Sequence, residues 1–360
     1  MSLTTALTGA AFGLALEKSK VYLPDIIIKQ MLLQEWTMAT MFFTAAAGGT
    51  IIITGLEAVN LKKRSCKPPT SAGWASLGKY GANISGGSML GVGMALSGAC
   101  PGTVFVQLGA GLPSAWYVMT GAIASALSFG YLHRAIRNVL PTFGQKSPVT
   151  TLDTTFNTKP LTIARAIALS LTSAVYIISS LTSWRHDVLT AYNGLITLPS
   201  STFAVNPLFA SAWSPIAGGS LIALLQLPSV LLNGGPIGTS GSYMELASRI
   251  VPTFDSKWKS RAPILSEYSG SASLKFVAGV IAGAAISSIL GGTFALNQSL
   301  PTASPVKAVV GGALLVLGAR VAGGCTSGHG ISGMAQLSVA SFVTVAAMFA
   351  GGILSAFALY

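Results

Sequence analysis

Charge is what this chain has least of. Only 8% of its 360 residues are Asp, Glu, Lys or Arg, against roughly 25% in a soluble globular protein. So few ionisable groups cannot clothe a soluble body of this size, and 51% of the residues are hydrophobic. That balance excludes a disordered chain, which needs low hydrophobicity, and it demands a lipid solvent. Acidic residues are the scarcer sign, nine against 21 basic ones, for a net charge of +12. The basic residues lie mainly in loops between apolar runs, so the excess reads as a positive-inside bias and not as a nucleic-acid surface. Three cysteines cannot build a disulfide framework, and their spacing fits no zinc pattern. His133 and His186 fall in loops and His329 stands apart, so no metal cluster is expected. No Gly-x-x-x-x-Gly-Lys-Ser/Thr loop occurs, so ATP is not expected to drive this chain directly, and no cofactor is implied. The amino terminus has no basic stretch leading into a short apolar run and a cleavage site, so the first apolar segment is expected to belong to the mature protein.

Long apolar runs and 41 glycines are what the chain has in abundance. A spanning helix needs about 20 mostly apolar residues. Trp36–Leu56, Pro113–Leu132, Leu161–Trp184, Trp213–Leu232, Ser273–Phe294, Pro305–Ala322 and Val339–Leu359 meet or approach that length. Thr4–Leu16 looks too short to span comfortably. Val21–Leu33, interrupted by Pro24, Asp25 and Lys29, and Asn83–Leu112, interrupted by Pro101 and many glycines, read as broken or re-entrant helices. Such backbone is tolerated at membrane depth only where protein buries it or a cavity receives it. A membrane β-barrel would show short alternating segments instead. The expected fold is therefore an all-α, multi-pass membrane protein, housed in a plasma or bacterial inner membrane. Basic segments 57–82, 133–160 and 245–271 are assigned to the cytoplasm, the latter two as mobile surface loops; segments 185–212 and 295–306, nearly free of positive charge, are assigned outside.

A shift of 225 residues lays GGSMLGVGMALSGACPG, starting at Gly86, over GGALLVLGARVAGGCTS, starting at Gly311, and superposes Cys100 on Cys325. By the charge rule the helices preceding the two motifs cross the bilayer in opposite directions. That points to an inverted repeat of two pseudo-symmetric halves whose broken helices meet at a central path. The division is residues 1–160, a connecting helix and outer loop over 161–212, and a second half over 213–360. Around Cys100, the glycines of SGACPG, Gly98 among them, with Pro101, predict a helix break that opens a thiol and amides to a cavity. AGGCTSGHGISG is too polar and flexible for a lipid-facing helix; Gly324, Thr326, Ser327, Gly328 and His329 can offer amides, hydroxyls and a half-helix N-terminus to an anion. NGGPIGTSG, with Gly238 and Ser240, is a second such break. Two readings stay open for His329, a lining group or a hydrogen-bonded packing residue. Arg320 likewise either attracts an anion or snorkels and pairs locally. Cys66, among basic residues, is read as an incidental surface thiol. Thiols are soft, weak donors, suited to holding a sulfur-containing anion without a buried full charge.

The segments GGCTSGHGISG and SGACPG, with the opening KSKVYLPD (Lys18–Asp25), resemble the YeeE/YedE sulphur-transport family. The resemblance implies an hourglass of helices in which cysteines relay thiosulfate by weak hydrogen bonds, aided by a small cytoplasmic sulfur-carrier protein. Cys100 and Cys325 match two of the family's path cysteines. Where the family commonly has a third, this chain has Tyr22. The resemblance implies a transporter and not an enzyme; a persulfide-forming sulfurtransferase and an anion channel indifferent to the thiols are the alternatives.

Overall fold

The computed structural model of the chain describes residues 2–66, 68, 75–139, 148–198, 206–301 and 304–360. Among these residues the regular structure is helical, apart from an isolated antiparallel bridge between Thr151 and Ser338. The helices are α1 (Ser2–Lys18), α2 (Pro24–Met31), α3 (Thr37–Ala58), α4 (Gly81–Ser97), α5 (Thr103–Ala110), α6 (Ser114–Val139), α7 (Leu152–Thr155), α8 (Pro160–Leu181) and α9 (Trp184–Ala191). They continue with α10 (Pro215–Leu232), α11 (Gly241–Ile250), α12 (Trp258–Arg261), α13 (Pro263–Ser266), α14 (Ala272–Leu290), α15 (Phe294–Ser299), α16 (Pro305–Val321) and α17 (Val339–Leu359). A π-helical turn, Ser327–Gly333, lies between the last two.

Six helices among the described residues are long and apolar enough to cross a membrane: α3, α6, α8, α10, α14 and α17. α1 and α16, at 17 residues each, reach about 25 Å at 1.5 Å per residue. The Thr4–Leu16 run is thus longer as a helix than its apolar core suggested, because Ser2, Leu3, Glu17 and Lys18 extend it. The runs 161–184 and 273–294 each break near their ends, into α8 and α9 and into α14 and α15; Gly292, at φ +68°, turns the chain at the second break.

Small residues set how closely these helices approach. A Cβ on Gly9 would collide with Phe276 and one on Gly13 with Val280, so α1 and α14 run parallel in backbone contact. Gly219 packs on Met41 and Gly48 on Ala223, which makes α10 and α3 a second parallel pair. α4 and α16 are antiparallel: Gly86 abuts Gly318 and Gly93 abuts Gly311. α4 also packs on α17, and α16 on α6. α8 is the outlier. Only 11% of its apolar span is buried, and it leans on α3 with its remaining surface free for lipid.

The basic segments gather at one end of the bundle. Arg64 bridges Glu57 and Asp153 at 2.6 and 2.9 Å, and the Tyr131 hydroxyl donates to Asp255 at 2.9 Å. The two segments poor in positive charge lie at the opposite end, where Thr37 donates to Asp187 at 2.6 Å and Lys18 to the carbonyl of Ala210 at 2.7 Å. The 245–271 segment is not a simple surface loop. Its Glu245 is buried and accepts the Ser273 and Leu274 amides at 3.3 and 3.0 Å, capping the start of α14. In the 133–160 segment α6 runs on to Val139, and the part from 148 is fastened by Arg64; Lys146, like Lys67 of the 57–82 segment, falls outside the described residues.

Candidate functional site

α4 ends because Gly98 takes a left-handed conformation, φ +58°, and Pro101 has no N–H to continue the ladder. Any Cβ at Gly98 would sit 2.8 Å from the Pro24 Cα, so the break also needs glycine for closeness. Gln107 of α5 fixes the break from below, its amide donating to the carbonyls of Tyr22 and Gly98 at 2.8 and 2.9 Å. The chain restarts as α5 at Thr103. The Thr103 amide donates to the Cys100 sulfur at 3.4 Å, while its hydroxyl accepts the Cys100 amide at 2.7 Å. The sulfur therefore sits against the electropositive start of a half-helix.

The second break repeats this plan. α16 ends, Gly323 adopts φ +79°, and two residues on Cys325 precedes the π-helical turn, a distortion frequent at functional sites. The Cys325 sulfur lies 3.2 Å from the Ser327 hydroxyl and 3.4 Å from the Thr239 hydroxyl. Two hydroxyls thus crowd one sulfur, each able to donate or to accept.

The two breaks meet through the segment leading into α11. Thr239 lies beside Cys325 and also within 3.4 Å of the Cβ position of Gly102. Tyr243 of α11 is buried and donates its hydroxyl to the Pro101 carbonyl at 2.8 Å. Its ring packs 4.9 Å from that of Phe105. Cys100, Gly102, Thr103, Thr326 and Ser327 share a cavity of about 40 Å³, closed on its other sides by Phe12, Met41, Phe42, Phe349 and other apolar side chains. Cys325 is not in its wall. A space of that size has room for about one water and not for a drug-sized ligand.

The remaining expected residues fall into two groups. Ser327, Gly328 and Gly238 cluster at Cys325, with the Gly238 Cβ position 3.9 Å from the Gly328 Cα. Gly324 is buried beside them, and Thr326 donates to the Met348 sulfur at 3.4 Å. Others are engaged elsewhere. His329 is buried, with its ring nitrogens 3.0 Å from the Ser341 hydroxyl and 3.1 Å from the Ala322 carbonyl, a packing role. Tyr22 donates to Asn297 at 3.0 Å and lies 3.1 Å from the Tyr192 hydroxyl, in a buried polar cluster with Lys20 and Glu17. Ser240 accepts from Arg320 at 2.6 Å. Cys66 is half-buried and donates to the Gln336 carbonyl at 3.3 Å. Burial pushes its thiol up to about 11, with Arg64 offsetting only part of that. Among the described residues no group of three His, Cys, Asp or Glu is placed to hold a metal ion. Thr103, Gln107, Thr239 and Tyr243 escaped sequence reasoning; Thr239 alone had a signal, its place in the glycine-rich NGGPIGTSG.

The class the structure defines is an all-helical protein with six helices, among the described residues, long and apolar enough to cross a membrane. Residues 18–354 match the sulphur transport family, and the chain belongs to it. The thiosulfate transporter TsuA of Spirochaeta thermophila is 25% identical over 347 residues, which is 94% of this chain and 93% of the relative. A probable transporter of Xylella fastidiosa is 32% identical over 144 residues, 92% of that relative but only 40% of this chain.

Proposed function

We propose that this protein takes up thiosulfate, or a closely related small sulfur anion, along a path that passes Cys100 and Cys325. The observation that carries the reading is the pairing of the two sulfurs. Each follows a left-handed glycine by two residues, and each contacts a group at the start of a short helical segment, the Thr103 amide for Cys100 and the Ser327 hydroxyl for Cys325. Such groups can donate to an anion, while the thiols make weak, reversible contacts with its terminal sulfur. Binding that is weak and divided among sites lets an ion leave as well as enter. The similarity to a thiosulfate transporter supports the choice of ion.

An inverted repeat accounts for the pairing. The 225-residue shift exchanges Gly86 with Gly311 and Gly93 with Gly318, and the contacts between α4 and α16 map onto themselves under that exchange. The α1–α14 pair corresponds to α10–α3, and α4–α17 to α16–α6. A relative that is nearly all matched by 40% of this chain supports a half-sized ancestral unit. In this reading α2, α5 and the π-helical turn are the re-entrant pieces.

The conformation is an occluded one. The cavity beside Cys100 is small and mostly apolar, so an ion passing it would press against Phe12, Phe42 and Phe349. Carrying a dianion inward against 100 mV, inside negative, costs about 5 kcal/mol. Inward flow therefore depends on consumption of the ion at the basic, cytoplasmic end, where a small sulfur-carrier protein would collect it. The test is uptake of radiolabelled thiosulfate into proteoliposomes, with sulfate and selenite as competitors. Saturable uptake blocked by unlabelled thiosulfate is the expected result; its absence in correctly folded protein overturns the reading. A covalent relay, the second reading, would leave a persulfide on one cysteine, visible by mass spectrometry during turnover.

A further inference from the structure

Arg320, in the last turn of α16, has no carboxylate partner among the described residues. Three other sequestered cations do have one: Lys20 closes on Glu17, Lys29 on Asp25 and Glu35, and Arg64 on Glu57 and Asp153, while buried Lys18 is held by the Ala210 and Ser287 carbonyls. Arg320 instead donates to two neutral hydroxyls, Ser240 at 2.6 Å and Tyr268 at 3.1 Å. Its Nε–H is buried and has no hydrogen-bond partner among the described residues. A half-buried guanidinium in this state carries a desolvation cost that its neighbours do not offset. The acidic side chain on the facing helix, Glu245, is already committed to the amides of Ser273 and Leu274. Glu267, next to Tyr268, is exposed to solvent.

The position matters as much as the charge. Ser240 directly follows Thr239, whose hydroxyl touches the Cys325 sulfur at 3.4 Å. A short line therefore runs from Cys325 through Thr239 and Ser240 to Arg320, toward the basic end of the bundle. The guanidinium also lies over the Tyr268 ring, 5.7 Å from its centroid, which fixes its plane. A planar fork with a free N–H suits the oxygens of a tetrahedral oxyanion, which it can engage bidentately.

We infer that Arg320, Ser240 and Tyr268 form an oxyanion subsite at the cytoplasmic exit, which takes the sulfonate-like oxygens of the passing ion once its terminal sulfur leaves Cys325. The inference rests on the transport reading for its ligand, yet the subsite is defined by oxygens alone. It therefore takes sulfate as well, and the thiols supply the preference for thiosulfate.

The experiment measures binding of radiolabelled thiosulfate and, separately, of radiolabelled sulfate to the full chain in nanodiscs of neutral lipid. The variants are Arg320→Gln, Arg320→Lys, Ser240→Ala and Tyr268→Phe. Hydrogen bonds to a charged group contribute roughly 1.5–3 kcal/mol, so Arg320→Gln should weaken both ions by about 10- to 100-fold. Arg320→Lys should recover part of that loss, and Ser240→Ala and Tyr268→Phe should each cost about two- to tenfold, the range of a neutral hydrogen bond. Wild-type affinity should fall with added sodium chloride, and that dependence should flatten in Arg320→Gln, a change that a purely structural role would not produce. A folded Arg320→Gln protein with wild-type affinity and salt dependence overturns the subsite. If that variant fails to fold, unchanged affinities in Arg320→Lys, Ser240→Ala and Tyr268→Phe together do the same. Loss of sulfate binding in Arg320→Gln upholds the subsite even where proteoliposomes show no thiosulfate uptake, which would count against transport alone.

Discussion

Cys100 and Cys325 occupy matching places, but their surroundings differ. The Cys100 sulfur faces the cavity and takes its donor from its own turn, the Thr103 amide at 3.4 Å. The Cys325 sulfur is 1% exposed and receives a hydroxyl from a separate segment, Thr239. The glycines before them differ in the opposite sense. Gly98 is wedged against Pro24, whereas no atom lies within 4 Å of a Cβ built on Gly323. The first site thus has an open thiol on a locked backbone. The second has an enclosed thiol on a backbone with room beside it. Under the proposed uptake reading, the Gly323 turn has more room to shift than the Gly98 turn.

The largest expected effect is loss of the thiols themselves. Cys100→Ala and Cys325→Ala should each abolish thiosulfate-dependent growth while the protein still reaches the membrane in normal amount, checked by immunoblot. Normal growth of both variants would remove the thiols from the path and leave an anion channel indifferent to them.

Next in size is the backbone contrast. A left-handed alanine costs about 1–2 kcal/mol by itself. Gly323→Ala should show only that, as a modest drop in melting temperature in detergent. Gly98→Ala adds a collision with Pro24, in the α2 entry that Gln107 also ties down, and should melt distinctly lower. Equal melting temperatures would erase the proposed difference in rigidity.

A smaller effect separates the donors. Thr239→Val removes a hydroxyl from the Cys325 sulfur, a bond of about 1 kcal/mol or a little more, so thiosulfate affinity should fall roughly fivefold. Thr103→Val keeps the amide on Cys100 but loses the hydroxyl that accepts the Cys100 amide; it should lower stability and leave affinity nearly unchanged. Reversal of this order in binding measurements would make the Cys100 contacts, and not those of Cys325, the ones that set affinity.

What the sequence made legible was whatever depends on composition and local backbone chemistry. Apolar runs marked the spanning helices, glycine and proline marked both breaks, and the basic segments marked one end. The partners that assemble the site come from far along the chain, and no local pattern announces them. Tyr243 reaches the Pro101 carbonyl across 142 positions, and Thr239 reaches Cys325 across 86. His329, for which the sequence left two readings open, shows the same limit. Its glycine-rich setting suggested exposure to a path, but Ser341 and the Ala322 carbonyl, brought in by the bundle, consume both ring nitrogens. Tyr22 stands at a position where the resemblance suggested a cysteine, and Tyr192 and Asn297 hold its hydroxyl in a polar cluster that only the fold assembles.

Cys66 provides the control for both path thiols, because it shares their chemistry without their helix-start contacts. Its sulfur donates to a carbonyl, Gln336, and burial raises its pKa from 9.0 to about 11 despite Arg64. The thiolate is the reactive form, so maleimide labelling of Cys66 in the folded protein should be slow at pH 7.5 and rise about tenfold per pH unit until pH approaches 11. The sign for stability follows from the same shift. Below pH 9 the thiol is neutral in folded and unfolded chains alike, and its contribution is fully present. Between about pH 9 and 11 the unfolded chain loses the proton first, so the folded state loses stability as pH rises through that window. Cys66→Ser should leave thiosulfate uptake unchanged. Labelling at pH 7.5 as fast as that of a free exposed cysteine would mean that the Gln336 contact opens readily, and the basic end would then be looser than its Arg64 bridges imply.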